Sequence, residues 1–310
     1  MDKGIKVSVV CVAYNQMDYI RDALDGIVMQ KTNFEFEVIV HDDGSTDGTA
    51  EIIKEYAAKY PFIIPVLQSE NQTSRGVVIT REFIYPLVSG EFVALCDSDD
   101  YWTDPLKLQK QADALDAHPE LDICVHRTLV TRDDRPRRFV APATRTRVLG
   151  TEEVIIGGGW YVTTSSIMCR RGIYVKQTPL RDVITIDYAL QMQASARGGM
   201  YYLEDCMAVY RLRSKGSWSS ANRHGIPMET SIRLLSAMDE YTGGRFHEAV
   251  ELRKRIRRSQ WLQRSGKKYL ALLAPGEIGI TLRRIGISLR RLAIKFRYSG
   301  ELCRARRMVK

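Results

Sequence analysis

The run VSVVCVA, Val7–Ala13, sets a single hydroxyl among otherwise apolar residues, four of them valine. A segment apolar along its whole length is buried on both faces, the habit of a central strand in a parallel sheet covered by helices. The flanking chain agrees. Asp18 to Gln30 puts Ile20, Leu24, Ile27 and Val28 on one helical face. A strand at Phe36 to His41, a helix from about Thr46 to Lys59, a strand at Phe62 to Gln68, a helix from about Gly76 to Val88 and a strand at Glu91 to Cys96 follow. A helix over Leu106 to Ala117 and a strand at Asp122 to His126 extend the series. Strands alternating with helices predict an α/β fold with right-handed crossovers, a mostly parallel sheet and helices on both of its faces.

Beyond Asp133 the alternation fails. The basic, proline-bearing stretch Arg132 to Arg147 reads as a surface loop or mobile lid, and a subdomain change is expected there. A helix from Ile186 to Ala196, ended by Gly198-Gly199, precedes two short strands at Met200 to Leu203 and Ala208 to Leu212, and helices fill most of the remainder.

The chain has 310 residues and 45% apolar content, enough for at least one full core and an appendage. Its net charge of +9 is uneven: residues 251–310 carry 18 Lys/Arg against 3 Asp/Glu, a net +15 that leaves −6 for residues 1–250. A basic tail on an acidic body argues for a separate positive surface rather than for the body's own ligand. The six cysteines (Cys11, Cys96, Cys124, Cys169, Cys206, Cys303) form no C-x-x-C pair and read as reduced core residues of a cytosolic protein. Met1-Asp2-Lys3 leads straight into a strand, without the pattern of a secretory signal. The longest uncharged stretch, Val154 to Cys169, is too short and too interrupted by glycine to span a bilayer.

In an open parallel sheet, ligands bind beyond the carboxyl ends of the strands. Three strands end in polar clusters: Tyr14-Asn15, Asp42-Asp43-Gly44-Ser45 and Asp97-Ser98-Asp99-Asp100. Read as an extended segment, the last cluster directs Asp97 and Asp99 to one point and Asp100 elsewhere. Two such carboxylates suit Mg²⁺ or Mn²⁺, which fill their remaining positions with water and substrate phosphates. Asp42 to Thr49 also has the makings of an ordinary turn and helix cap. Arg75, in the loop Glu70 to Gly76, offers a planar fork for phosphate or stands solvated.

The segments VSVVCVAYN, VIVHDDGSTDGT, GEFVALCDSDDYWTDPLKLQKQ and VYRLRSKGSWS, in this order, resemble family-two inverting glycosyltransferases of the GT-A fold over roughly residues 5 to 220. The resemblance implies a domain over 1–220, divided into a nucleotide-sugar-binding half (1–127) and an acceptor half (128–220), with a helical basic extension at 221–310. It implies that Ala13, Tyr14 and Asn15 meet the nucleotide, that Asp43 hydrogen-bonds the base, and that Asp97, Ser98 and Asp99 form the D-x-D site for phosphate and metal. The donor is then a nucleotide sugar, with UDP favoured, and the acceptor a glycan or a lipid-linked glycan of the bacterial cell surface.

Inversion by direct displacement needs a group that takes the acceptor hydroxyl's proton. Ile186-Asp187-Tyr188-Ala189-Leu190 resembles the family's G-D-W-x-L segment, so Asp187 is implied as the base, with Asp182 a weaker candidate. An acid in the first turn of a helix also suits the macrodipole without any chemistry. Tyr210-Arg211-Leu212-Arg213 resembles the closing Y-R-x-H segment, but Arg213 stands where relatives have histidine; it can contact phosphate and cannot ligate a cation. Trp160, Thr163, Thr164 and Ser165 fall where relatives line the acceptor side, although core packing is the expected role of Trp160.

Residues 276–310 carry an apolar stripe (Leu282, Ile285, Leu289, Leu292, Phe296) flanked by arginines. Such a helix suits an anionic membrane surface on the cytoplasmic face, or packing on the domain, with nucleic acid ranked below both. A catalytically idle module that binds lipid or nucleic acid through this tail is the alternative to an enzyme.

Overall fold

The computed structural model describes residues 4–184, 187–222 and 225–264. The stripe and the arginines of 276–310 lie outside the described residues, as does Cys303.

The strands are β1 (Val7–Ala13), β2 (Phe36–Asp42), β3 (Ile63–Leu67), β4 (Phe92–Leu95), β5 (Tyr101–Trp102), β6 (Ile123–Arg132), β7 (Arg135–Val140), β8 (Arg147–Leu149), β9 (Met168–Arg170) and β10 (Met200–Arg211). They form one sheet in the order β3-β2-β1-β4-β9-β6-β10-β5, with β7 added to β6 and β8 to β10. The pairs among β1 to β4 are parallel, as the alternation predicts. β9 then runs antiparallel to both β4 and β6, which extends the parallel half into the second half of the chain.

The helices are α1 (Ile20–Val28), α2 (Thr49–Lys59), α3 (Lys107–Ala117), α4 (Thr151–Gly157), α5 (Arg171–Tyr174), α6 (Pro179–Val183), α7 (Asp187–Ser195), α8 (Trp218–Ala221), α9 (Met228–Tyr241) and α10 (His247–Arg264). Alternation along β1 explains the layers. Val7, Val9, Cys11 and Ala13 join the core under α1, α2 and α3, whereas Val10 faces the opposite core, which holds Val154 of α4 and Leu190 and Ala194 of α7. A third core packs α9 and α10 onto α4, α6 and α7. Among the described residues no helix is long and apolar enough to cross a membrane.

Three expectations give way. No continuous helix covers Gly76 to Val88; a π-turn at Thr80–Ile84 and a 3-10 turn at Tyr85–Leu87 stand there. Pro86 lacks the amide that a helix needs, and the β-branched run Val77-Val78-Ile79 disfavours it further. The stretch Arg132 to Arg147 is not one loop: β6 continues to Arg132 and returns as β7 through Asp133-Asp134, both with φ near 50°. That is the left-handed pair of a two-residue hairpin, which Asp tolerates better than most residues. The two short strands of 200–212 are one strand, because register shifts between Leu203 and Ala208 absorb the polar break at Glu204-Asp205 as bulges.

Candidate active site

Parallel pairing puts the carboxyl ends of β1, β2 and β4 on one edge, with Ala13 opposite Asp42 and Val10 opposite Leu95. The first two loops are stitched together. The Asn15 amide donates to Ser45 Oγ at 2.8 Å, Asn15 Oδ1 accepts from the Thr46 amide at 2.9 Å, and the Gln16 amide donates to Thr49 Oγ1 at 2.8 Å. Asn15 holds a left-handed φ of 52° to do this, so its side chain serves the loop junction. Asp43 is buried, and its two carboxylate oxygens accept the backbone amides of Gln72 (2.9 Å) and Thr73 (3.1 Å). It thereby fixes the segment Asn71 to Ser74 beside the site. Gly44 makes this possible: its φ is +77°, and a Cβ there would stand 2.5 Å from the Glu70 carbonyl carbon.

Asp97 to Asp100 is a turn and not an extended run, closed by the Asp100 amide on the Asp97 carbonyl at 3.0 Å. Asp97 and Asp99 nevertheless lie apart from Asp100. Asp97, Ser98 and Asp99 line one cavity. Asp100 is buried behind them and accepts the Arg211 amide at 2.9 Å. Arg211 braces the turn again from its side chain, donating to the Asp99 carbonyl at 3.2 Å while pairing with Asp22 and lying over Tyr101. Ser214 Oγ donates to the Asp99 carboxylate. Burial, with repulsion from Asp99 and Asp187, pushes the Asp97 carboxyl up to about 7 against a hydrogen bond from Thr164. Asp99 is likewise raised by burial, with Ser214 and Arg211 opposing.

Asp187 opens α7 on the other side of the same space. Thr164 Oγ1 donates to its Oδ2 at 3.2 Å, and Gln191, one turn along the helix, lies 3.5 Å from the same oxygen. Burial raises Asp187 to about 6, opposed by the Thr164 bond and by the backbone amides of the helix start. The Thr164 hydroxyl, with one proton to give, donates to Asp187 and lies near Asp97 as well.

Two adjoining cavities share Asp97 and Tyr210. An outer one of about 600 Å³ is lined by Ala13, Tyr14, Asp43, Thr73, Ser98 and Asp99 among others. An inner one of about 990 Å³ is lined by Thr164, Asp187, Trp160, Arg138 and Arg213 among others. The structure thus brings together Ala13, Tyr14, Asp43, Asp97, Ser98, Asp99, Asp187, Arg213 and Trp160. It keeps Arg75 apart: that side chain is exposed and paired with Glu70. Ser165 is fully buried behind the wall, its carbonyl accepting from Trp102 Nε1 at 3.1 Å. Trp160 is not a core residue; it is 41% exposed on the inner cavity, with Tyr210 edge-on to it.

Arg211, Ser214 and Thr164 support the carboxylates, and Arg138 joins the inner wall, without having been singled out for these roles in the sequence. For Arg211 a signal existed, since it alternates with Arg213 at the end of a strand. Arg138 could be placed only once the hairpin was known.

The donor set at Asp97 and Asp99 fits a divalent cation. Two carboxylates, both raised by burial and repelling each other, gain from one, and no lysine among the described residues pairs with either. Among the described residues no group of three or more His, Cys, Asp or Glu could hold a metal. Phosphate and water would have to complete its shell.

The family model described as Glycosyl transferase family 2 matches residues 8–174. The protein Rv1520 of Mycobacterium tuberculosis H37Rv, described as uncharacterized, is 40% identical over 216 residues; the match covers 69% of this chain and 61% of that protein's own length. The crystal structure of residues 1–349 of S. aureus TarS in complex with UDP-GlcNAc superposes with a TM-score of 0.63 at 19% identity, covering 98% of this chain and 88% of that one. The mannosyltransferase PcManGT from Pyrobaculum calidifontis, in complex with GDP-Man and Mn²⁺, superposes with a TM-score of 0.53 at 17% identity over 94% of this chain and 86% of that one. At such identities the two structures speak for the fold, which is GT-A. With a family model matched over more than half its length and the fold in agreement, the chain belongs to glycosyl transferase family 2.

Proposed function

We propose that the chain transfers a sugar from a nucleotide-sugar donor, a UDP-sugar by preference, to a hydroxyl of a glycan or lipid-linked acceptor, with inversion and with Asp187 as general base. The observation that carries this reading is that Asp97 lines both cavities while Asp187 lines the inner one, with the Thr164 hydroxyl bonded to Asp187 and Asp187 poised at about 6. A base with a pKa just below neutrality is ionised at working pH and still able to hold a proton.

In this reading the outer cavity takes the nucleotide: Tyr14 flanks the base, and Asp43 holds the Thr73 segment against it. Asp97 and Asp99 hold Mg²⁺ or Mn²⁺, which neutralises the charge that builds on the departing diphosphate. That TarS was solved with UDP-GlcNAc and PcManGT with GDP-Man and Mn²⁺ supports a nucleotide sugar and a cation. The acceptor lies in the inner cavity, where the exposed face of Trp160 suits a sugar ring. Asp187 takes the acceptor proton through the oxygen that Thr164 and Gln191 leave free. The acceptor oxygen bonds to the anomeric carbon as the bond from that carbon to the diphosphate breaks on the opposite face, which inverts the centre. Residues 1–127 act as the donor half, 128–220 as the acceptor half, and the basic extension as a contact with the cytoplasmic face of a membrane.

Thermal unfolding with a panel of nucleoside diphosphates and their sugars, with and without Mn²⁺, tests the donor assignment. Stabilisation by a uridine nucleotide that requires the cation and is lost in Asp99→Ala is expected. A panel with no stabilising nucleotide contradicts the reading.

A further inference from the structure

The charges on the inner cavity are divided. Five arginines line it against two carboxylates, and those two, Asp97 and Asp187, sit together at the Thr164 end. Of the five, Arg138 stands out. It is half-buried on β7, its guanidinium lies 5.4 Å over the Trp160 ring, and among the described residues it has no carboxylate partner. Burial lowers its pKa, so the cation is held at an electrostatic disadvantage that an anionic ligand would relieve. Arg213, which lines the same cavity, also lacks an ion pair among the described residues, and it keeps a left-handed φ of 62° with its amide bonded to Ser219 Oγ at 2.9 Å. A partly buried guanidinium stacked on an indole and short of an acid is built for a planar bidentate anion.

We propose that Arg138, with Arg213, forms an anion subsite for the acceptor, so that the acceptor is a phosphorylated or carboxylated glycan rather than a neutral one. This rests on the inner cavity being the acceptor side, as proposed above. The donor diphosphate is the competing source of anionic oxygens. It is disfavoured because neither Arg138 nor Arg213 lines the outer cavity, where the donor is placed. The subsite and Asp187 then engage the same acceptor, the anion setting which hydroxyl faces Asp187.

The test uses the full chain and its tryptophan fluorescence, since Trp160 lies under Arg138. Glucose 1-phosphate, glucuronate and glucose are titrated with and without UDP and Mg²⁺, into the wild type, Arg138→Gln and Arg138→Lys. One or both anions are expected to bind the wild type at least about tenfold more tightly than glucose, the weight of one charge-assisted pair. Arg138→Gln loses that preference at an unchanged unfolding midpoint, and Arg138→Lys retains part of it. The two anions report separately, so phosphate and carboxylate acceptors are told apart. Equal binding of all three sugars overturns the proposal. So does an Arg138→Gln variant that keeps its anion preference, or one that loses affinity for UDP instead, which assigns Arg138 to the donor. Failure of UDP to bind the wild type overturns the donor reading alone, because anion preference is still read without nucleotide.

Discussion

Thr164→Val removes one hydroxyl at nearly constant shape, from the residue that donates to the Asp187 carboxylate. A hydrogen bond to a charged group contributes about 1.5–3 kcal/mol, and a pKa unit corresponds to about 1.4 kcal/mol, so its loss raises a carboxyl by roughly one to two units. At 3.2 Å the bond to Asp187 is long, and the lower figure applies. Asp187 then moves from about 6 to roughly 7. A general base works ionised, so activity rises with pH through its pKa; the variant's acid limb should stand about one unit above the wild type's. With Mg²⁺ saturating, kcat/KM should fall roughly fivefold at pH 6 and twofold at pH 7, and should match the wild type near pH 9. The assay is donor turnover against pH, with a melting curve at each pH. An unmoved limb, or an equal loss at every pH, refutes the idea that this hydroxyl holds the base's proton affinity down.

Gly44→Ala forces a Cβ into the Glu70 backbone at a left-handed φ, so it should destabilise the fold by at least about 1 kcal/mol and, by displacing Thr73, weaken nucleotide binding in calorimetry. Wild-type affinity and melting point would contradict that geometry. Asp97 is protonated more readily folded than unfolded, so without metal its contribution is fully present below about pH 4 and is lost as pH rises through about 7. The span from 3.8 to about 7 sets an upper limit of about 4 kcal/mol, and Asp97→Asn should flatten this loss in chelator-treated protein followed by thermal unfolding. The full chain should co-sediment with anionic vesicles and a form ending at Leu262 should not; equal behaviour of the two removes the membrane role of the tail.

Much of this was legible in the sequence because burial on both faces leaves a periodicity that polar residues cannot imitate. Val7–Ala13 and Phe92–Leu95 show it, and strand-end position then located Tyr14, Asp43, Asp97 and Asp99. What failed was local geometry ruled by single residues. Asp97 to Asp100 turns where alternation had been assumed, and Asp133-Asp134 makes a hairpin out of a segment too basic to look like one. Trp160 was misjudged because an indole's exposure is set by a cavity assembled from distant segments. The contacts that Arg138, Thr164 and Arg211 make were hidden for the same reason: each acts on a partner at least 22 residues away, across pairings that no local pattern records.

The central claim is that Asp187 is the base and takes no part in holding the nucleotide. In Asp187→Asn, which keeps the side chain's shape, calorimetry with a cation should return the wild-type affinity for the nucleoside diphosphate, while transfer falls by about a hundredfold or more at every pH. Transfer at the wild-type rate, or a loss of nucleotide binding that parallels the loss of transfer, would contradict it.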